Sequence, residues 1–173
     1  MKKNKTHGIL LELYYNGIRN LGDFMRVVLQ RVKHASCTID GTITGEIKQG
    51  LLLLVGICDS DNEAILEKVA KKCVELRIFE DENGKMNLGL KDVGGEILSI
   101  SQFTLYADCK RGRRPGFTNA AKPDFASPMY DKFNEILRSY DVKVGTGIFG
   151  ADMKIELRND GPFTILLDSA EFC

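Results

Sequence analysis

The chain has 173 residues, 43% of them hydrophobic, with 24 Lys and Arg against 24 Asp and Glu, so one ordinary globular domain with its own core is expected. Zero formal net charge excludes a protein that coats nucleic acid or an anionic membrane through bulk charge, so any polyanion site has to be a local patch. The longest apolar runs, such as Gly50 to Cys58, fall far short of the roughly 20 residues that cross a bilayer, and two His cannot build a multi-histidine metal site.

Residues 1–24 read as an extension outside the fold. Lys2, Lys3 and Lys5 precede an apolar stretch from Ile9, but Glu12 interrupts it and no small-residue cleavage site follows, so secretion is not expected. A single domain is expected over 25–173. Arg26 to Lys33 reads as a first strand, followed by Ser36 to Ile39, with Asp40-Gly41 as a hairpin turn. Leu51 to Ile57 is continuously apolar, which predicts a strand buried on both faces at the sheet centre. Ser60 to Glu63 reads as a capping box opening a helix whose Leu66, Val69, Cys73 and Leu76 form one apolar stripe.

A short strand follows at Arg77 to Glu80, with Asn83-Gly84 as a turn. A long strand is predicted over Glu96 to Leu105, where alternation puts Ser99, Ser101 and Phe103 on one face. Ser127-Pro128 reads as the start of a second helix buried through Met129, Phe133, Ile136, Leu137 and Tyr140. Residues 142–168 read as two or three strands broken by Asp160-Gly161-Pro162. The fold class is mixed α/β, strand-rich, with two amphipathic helices.

Cys37, Cys58, Cys73, Cys109 and Cys173 form an odd set with no C-x-x-C pair, which points to reduced thiols in a cytosolic protein rather than to disulfides or zinc. Neither a metal nor a cofactor is expected. Hydrolytic chemistry has few candidates: Ser99, Ser101 and Thr104 lie in one segment, His34 is the single imidazole outside the extension, and no G-x-S-x-G elbow occurs. The run Lys110-Arg111-Gly112-Arg113-Arg114 puts four cations in five residues and is the best phosphate-contact candidate. Asp160-Gly161-Pro162 suits a plain turn; alternatively a cis Gly-Pro bond could present two carbonyls as a rigid acceptor pair.

Met25 to Val32 (MRVVLQRV), Ser101 to Leu105 (SQFTL), Arg114-Pro115, Gly150 to Met153 (GADM) and Asn159 to Pro162 (NDGP), taken together and in this order, resemble the D-aminoacyl-tRNA deacylases from Met25 to about Leu167. The resemblance implies hydrolysis of the ester between a D-amino acid and the terminal ribose of tRNA, a form of translation quality control in the cytoplasm. It further implies a compact, curved or barrel-like sheet working as a homodimer, with each active site at the interface.

By the same resemblance, Gly161-Pro162 is a cis pair entering the partner's pocket, where it binds the substrate amino group and excludes an L side chain. Arg31 steadies that pair, and Gly150, Ala151 and Met153 line the terminal adenosine pocket. Ser101, Gln102, Phe103 and Thr104 form the catalytic segment, read as a backbone platform aided by a ribose hydroxyl. Lys110, Arg111, Arg113 and Arg114 take the tRNA phosphates. The partners implied are aminoacyl-tRNA and a second copy of the chain, with neither membrane nor DNA. Phe163 and Gly116 depart from the pattern, where a β-branched residue and Ser are usual. Two rival readings are a non-catalytic RNA-binding module and a small-molecule esterase with Thr104 as nucleophile.

Overall fold

In the computed structural model, which describes residues 24–173, one long strand organises the rest. β1 (Arg26–Ile39) runs unbroken through both segments expected from the sequence. It turns at Asp40-Gly41, both at positive φ, into β2 (Thr42–Ile47). β3 (Gly50–Gly56) returns along the first half of β1, so β2 and β3 share one edge of β1. β8 (Lys154–Asp168) covers the other edge along almost its whole length.

β6 (Glu96–Ser101) joins β3 in parallel, and β7 (Val144–Thr146) joins β6 in parallel. β7 packs back against β2, which curls the six-stranded sheet into a nearly closed barrel. A separate two-stranded ribbon pairs β4 (Phe79–Glu80) with β5 (Met86–Leu88), so the expected strand at Arg77 is shorter than its sequence range.

β3 explains its own composition. Leu51, Leu53 and Val55 face a large core under the two helices, while Leu52 faces a second cluster inside the barrel with Val32, Cys37, Ile47, Leu98 and Ile100. A strand buried on both faces has no polar side to alternate. Leu66, Val69 and Cys73 of α1 (Glu63–Glu75) and Phe133 and Leu137 of α2 (Pro123–Arg138) close the outer core.

The helix starts differ from the expected ones for local reasons. Asn62, not Ser60, caps α1, its Oδ1 accepting the Ile65 N–H at 3.2 Å. α2 begins at Pro123 rather than Pro128, because a proline at the first helical position has no hydrogen bond to lose. Pro128 then sits inside the helix, where it orphans the Asp124 carbonyl on an exposed face that water can solvate. The earlier start also sets the buried face: Ala126, Tyr130, Phe133, Asn134 and Leu137 are buried, and Met129, Ile136 and Tyr140 only flank the core. No described helix is long and apolar enough to cross a membrane. The expected extension lies outside the described residues apart from Phe24, whose carbonyl accepts the Tyr106 hydroxyl at 2.7 Å.

Asp61, just ahead of α1, is buried. Its Oδ2 accepts the Cys58 N–H at 2.9 Å, but its Oδ1 has no hydrogen-bond partner among the described residues. Burial pushes its pKa up to about 6 against the lowering effect of the Cys58 amide. The folded state therefore holds this proton more tightly than the unfolded chain, and stability falls as pH rises from about 4 to about 6. The loss is on the order of 2–3 kcal/mol. Asp61→Asn keeps an oxygen for Cys58 without the charge, so it should raise Tm by several degrees at pH 7.5 and flatten the pH dependence below it. An unchanged slope between pH 4 and 6 would assign that titration elsewhere.

Candidate active site

The parallel strands β3 and β6 end side by side, and the segment after them turns away from the sheet. β6 stops at Ser101. Gln102 donates its N–H to the Val55 carbonyl at 2.7 Å, and Phe103–Tyr106 forms a 3-10 turn, so the strand expected to reach Leu105 ends at Ser101 and its last three expected residues are helical. Alternation therefore fails beyond Ser101, and Phe103 does not continue the Ser99 face. Tyr106 anchors the turn, buried, with its hydroxyl donating to the Phe24 and Gly56 carbonyls. The N–H groups of Phe103 and Thr104, first in the turn, have no carbonyl within it to bond. The Gln102 side-chain amide donates to the Thr104 hydroxyl.

Beside this turn opens a pocket of about 600 Å³. Ser101, Gln102 and Phe103 form one wall, and Gly150, Ala151 and Met153 face it, so six of the expected residues meet around one cavity. Thr104 is exposed and does not line it. The floor includes Tyr130, whose hydroxyl donates to the Ser99 carbonyl at 2.7 Å, with Phe149 tilted against its ring. Burial raises the Tyr130 pKa, which keeps that hydroxyl a donor at neutral pH. Lys122 and Asp152 stand at the rim. Among the described residues no imidazole lines the cavity: His34 is exposed in mid-β1 opposite Arg158. Tyr130, Phe149 and the Ala120–Pro123 wall were missed from sequence, although counting the helix face from Pro123 finds Tyr130.

Gly161 and Pro162 are not in this pocket. β8 does not break at them; instead four residues, Asp160–Phe163, bulge opposite the single residue Arg31, between the pairs Gln30 to Thr164 and Val32 to Asn159. The Gly161-Pro162 bond is cis, and both residues are exposed. Arg31 pairs with Leu51, four positions along β3 from the pocket residue Val55, or roughly 13 Å at about 3.3 Å per residue.

Arg31, only 6% exposed, holds the bulge from beneath. Its Nε donates to the Asp160 carbonyl at 3.0 Å, another nitrogen donates to the Ile78 carbonyl, and its guanidinium lies 5.0 Å over the Phe163 ring. Phe163 thus takes a specific place beneath the pair. Asn159 clasps the far side, accepting the Phe163 N–H at 2.7 Å and donating to the Phe163 carbonyl at 3.1 Å. The Asp160 carboxylate reaches Lys33 at 2.9 Å.

The cationic run hangs from the pocket's edge. An isolated bridge, Asp108 N–H to Gly116 O at 2.7 Å and Gly116 N–H to Asp108 O at 2.9 Å, closes the loop at its base. Lys110, Arg111, Arg113 and Arg114 are all exposed, and among the described residues no carboxylate forms an ion pair with any of them. Phe117, one residue past the bridge, lines the pocket and packs edge-on against Phe103 at 5.0 Å.

A family model described as D-Tyr-tRNA(Tyr) deacylase matches residues 28–168. A relative from Geobacillus sp. (strain WCH70), called D-aminoacyl-tRNA deacylase, is 57% identical over 147 residues, 85% of this chain and 97% of its own. One of the same name from Lactobacillus delbrueckii subsp. bulgaricus is 58% identical over 144 residues, 83% of this chain and 99% of its own. Among solved structures, one described as c-Myc DNA Unwinding Element Binding Protein has a TM-score of 0.77 at 38% identity, covering 83% of this chain and 97% of that one. Another, described as a probable eukaryotic D-amino acid tRNA deacylase, has a TM-score of 0.72 over 83% of this chain and 98% of that one; at 18% identity it speaks to fold alone.

Proposed function

The chain belongs to the D-Tyr-tRNA(Tyr) deacylase family, and from that premise we infer that it hydrolyses the ester linking a D-amino acid to the terminal ribose of tRNA. The observation that carries the reading is the single cavity walled by Ser101–Phe103 on one side and Gly150, Ala151 and Met153 on the other. Its size and mostly apolar lining suit a nucleoside. With the terminal adenosine seated there, the ester carbonyl meets the turn at Gln102 to Thr104, where the N–H groups of Phe103 and Thr104 stabilise the developing oxyanion. Among the described residues lining the pocket the one carboxylate, Asp152, is exposed at the rim and there is no imidazole, so the attacking water is oriented by the substrate's own ribose hydroxyl. Thr104 is a poor nucleophile: its hydroxyl receives the Gln102 amide proton, which does not activate it.

The working unit is a homodimer with its active sites at the interface. Supporting this, Gly161 and Pro162 are exposed, firmly held, and displaced from their own chain's pocket, so a two-fold mate is needed to bring the pair to the ester. Main-chain atoms there select by excluding an L side chain, which leaves D-amino acids of many sizes, and glycine, as substrates. The catalytic domain spans 25–173, with 1–24 outside it, and the enzyme works where aminoacyl-tRNA is used, in the cytoplasm.

Release of D-Tyr, L-Tyr and glycine from matched tRNAs tests this directly. D-Tyr should be freed fastest, glycine measurably, and L-Tyr hardly at all. Thr104→Ala should retain most of the rate, while a terminal 2′-deoxy ribose should slow it more. Equal rates on D-Tyr and L-Tyr, or loss of all turnover in a folded Thr104→Ala protein, would sink the mechanism. A non-catalytic nucleic-acid binder is the second reading, favoured by the cationic loop and by the DNA-binding name of one structural relative. Such a protein would shift tRNA in a gel and leave the ester intact.

The loop makes a separate, quantitative claim. Arg113→Ala with Arg114→Ala should lower the slope of log affinity against log salt by about 1.4–1.8, at 0.7–0.9 per lost phosphate contact. The single-turnover rate at saturating enzyme should stay near the parent's, and an unaltered slope would remove this loop from the RNA interface.

A further inference from the structure

α1 and the chain's last residues form a second concavity, a groove of about 480 Å³ that shares no lining residue with the pocket described above. It is lined by Lys68, Lys71, Lys72 and Arg77, by one carboxylate, Glu75, and by Phe172. Four cations against one anion is a dense local excess in a chain whose formal charge sums to zero.

A helix face with alternating charges would be unremarkable, since such faces are usually solvated and self-paired. The difference lies in how these cations are held. Lys72 sits with its ammonium 5.3 Å over the Phe172 ring, and Arg77 donates its Nε to the Asn87 carbonyl. A ring face and a carbonyl fix the position of a cation without cancelling its charge. Among the described residues Lys71 is the one of the four that forms an ion pair, with Glu75 at 3.9 Å and both side chains more than half exposed, a contact worth little. Among the described residues no ion pair engages Lys68, Lys72 or Arg77. Lys72 in the last turn of α1 also suits the helix dipole, but Lys68, a turn earlier, and Arg77, beyond the helix, gain nothing from it.

We propose that this groove is a second anion site that takes the phosphodiester backbone of the same tRNA, away from the terminal adenosine. The inference rests on the deacylase reading for the identity of the RNA, and it gives affinity and placement rather than chemistry. An RNA that reaches both the cationic loop and this groove is held at two separated points, so its 3′ end is presented to the pocket in one orientation.

The test compares full-length tRNA with a short oligonucleotide that ends in the same terminal nucleotides. Lys68→Ala with Lys71→Ala changes two exposed helix positions where alanine is the better helix former, and Arg77→Ala serves as an independent second variant. For full-length tRNA, the double variant should lose about tenfold in affinity at low salt, and its salt slope should fall by about 1–2. Binding of the short oligonucleotide, and hydrolysis of its D-aminoacyl ester, should be unchanged. An unaltered slope in both variants overturns the proposal, as does an equal loss on the short oligonucleotide. So does occupancy of the groove, followed by NMR shifts around Phe172, by inorganic phosphate that tRNA fails to displace. If the unaltered protein leaves the short D-ester intact, the deacylase reading fails, and the binding slopes still decide the groove.

Discussion

Arg31→Ala should slow single-turnover hydrolysis of a D-aminoacyl-tRNA ester by about a hundredfold, the scale on which a misplacement of about 1 Å at a reacting centre is felt. The side chain is buried, and it alone joins the Asp160 carbonyl, the Ile78 carbonyl and the Phe163 ring. Truncation leaves both carbonyls without this donor, at a cost of roughly 1–3 kcal/mol each where water cannot enter. The four-residue bulge then loses its support on the β1 side, while Asn159 still clasps the other. A domain stable by roughly 5–15 kcal/mol should survive, so far-UV circular dichroism should change little as activity falls.

Arg31→Lys should recover only part of the rate, because an ammonium cannot span two carbonyls and cover a ring at once. Mixed dimers sharpen the test. A subunit carrying Arg31→Ala still offers an intact Gln102–Thr104 turn, and one carrying Phe103→Ala still offers an intact bulge. If the site is shared across the interface, the heterodimer regains one competent pocket although both parents are impaired. No recovery in well-mixed heterodimers would confine the site to one chain and defeat the cross-subunit reading.

Gly50→Ala should cost more in stability than any single change at the active site. Gly50 lies between β1 and β6, paired with Val32 and Glu96, and an added Cβ would sit 1.9 Å from the Glu96 carbonyl oxygen and 2.6 Å from its nitrogen. Those are backbone atoms within a ladder and cannot swing aside. The strands must part where Glu96 donates to the Gln49 carbonyl and accepts from Lys48 and Lys143, with both cores above and below. A penalty of about 4–5 kcal/mol or more follows, enough to lower Tm by more than about 10 °C or to leave the protein insoluble. Gly116→Ala is the control, since a Cβ there meets nothing within 4 Å and its φ is ordinary. Equal melting of the two variants would show that the β3–β6 junction yields, contrary to this packing.

What the residues determine by themselves is whatever depends on neighbours in sequence. The both-sided burial of Leu51–Val55, the Asp40-Gly41 turn and the apolar stripe of α1 follow from patterns of two to four residues, because strand and helix periodicities are local. The motifs named the chemistry for the same reason, each being a short run of residue types. The end of β6 was not legible, since Gln102 leaves the strand to bond the Val55 carbonyl, a partner 47 positions away. The start of α2 misled because two prolines both fit a first helical position, and only the core decided that Ala126 and Tyr130 belong inside. Tertiary structure alone brought Ser101–Phe103 to Gly150–Met153 and carried Gly161-Pro162 away from them along β8. Distances between residues dozens of positions apart are set by which strands pair and in what register, and register is a property of the whole sheet rather than of any segment in it.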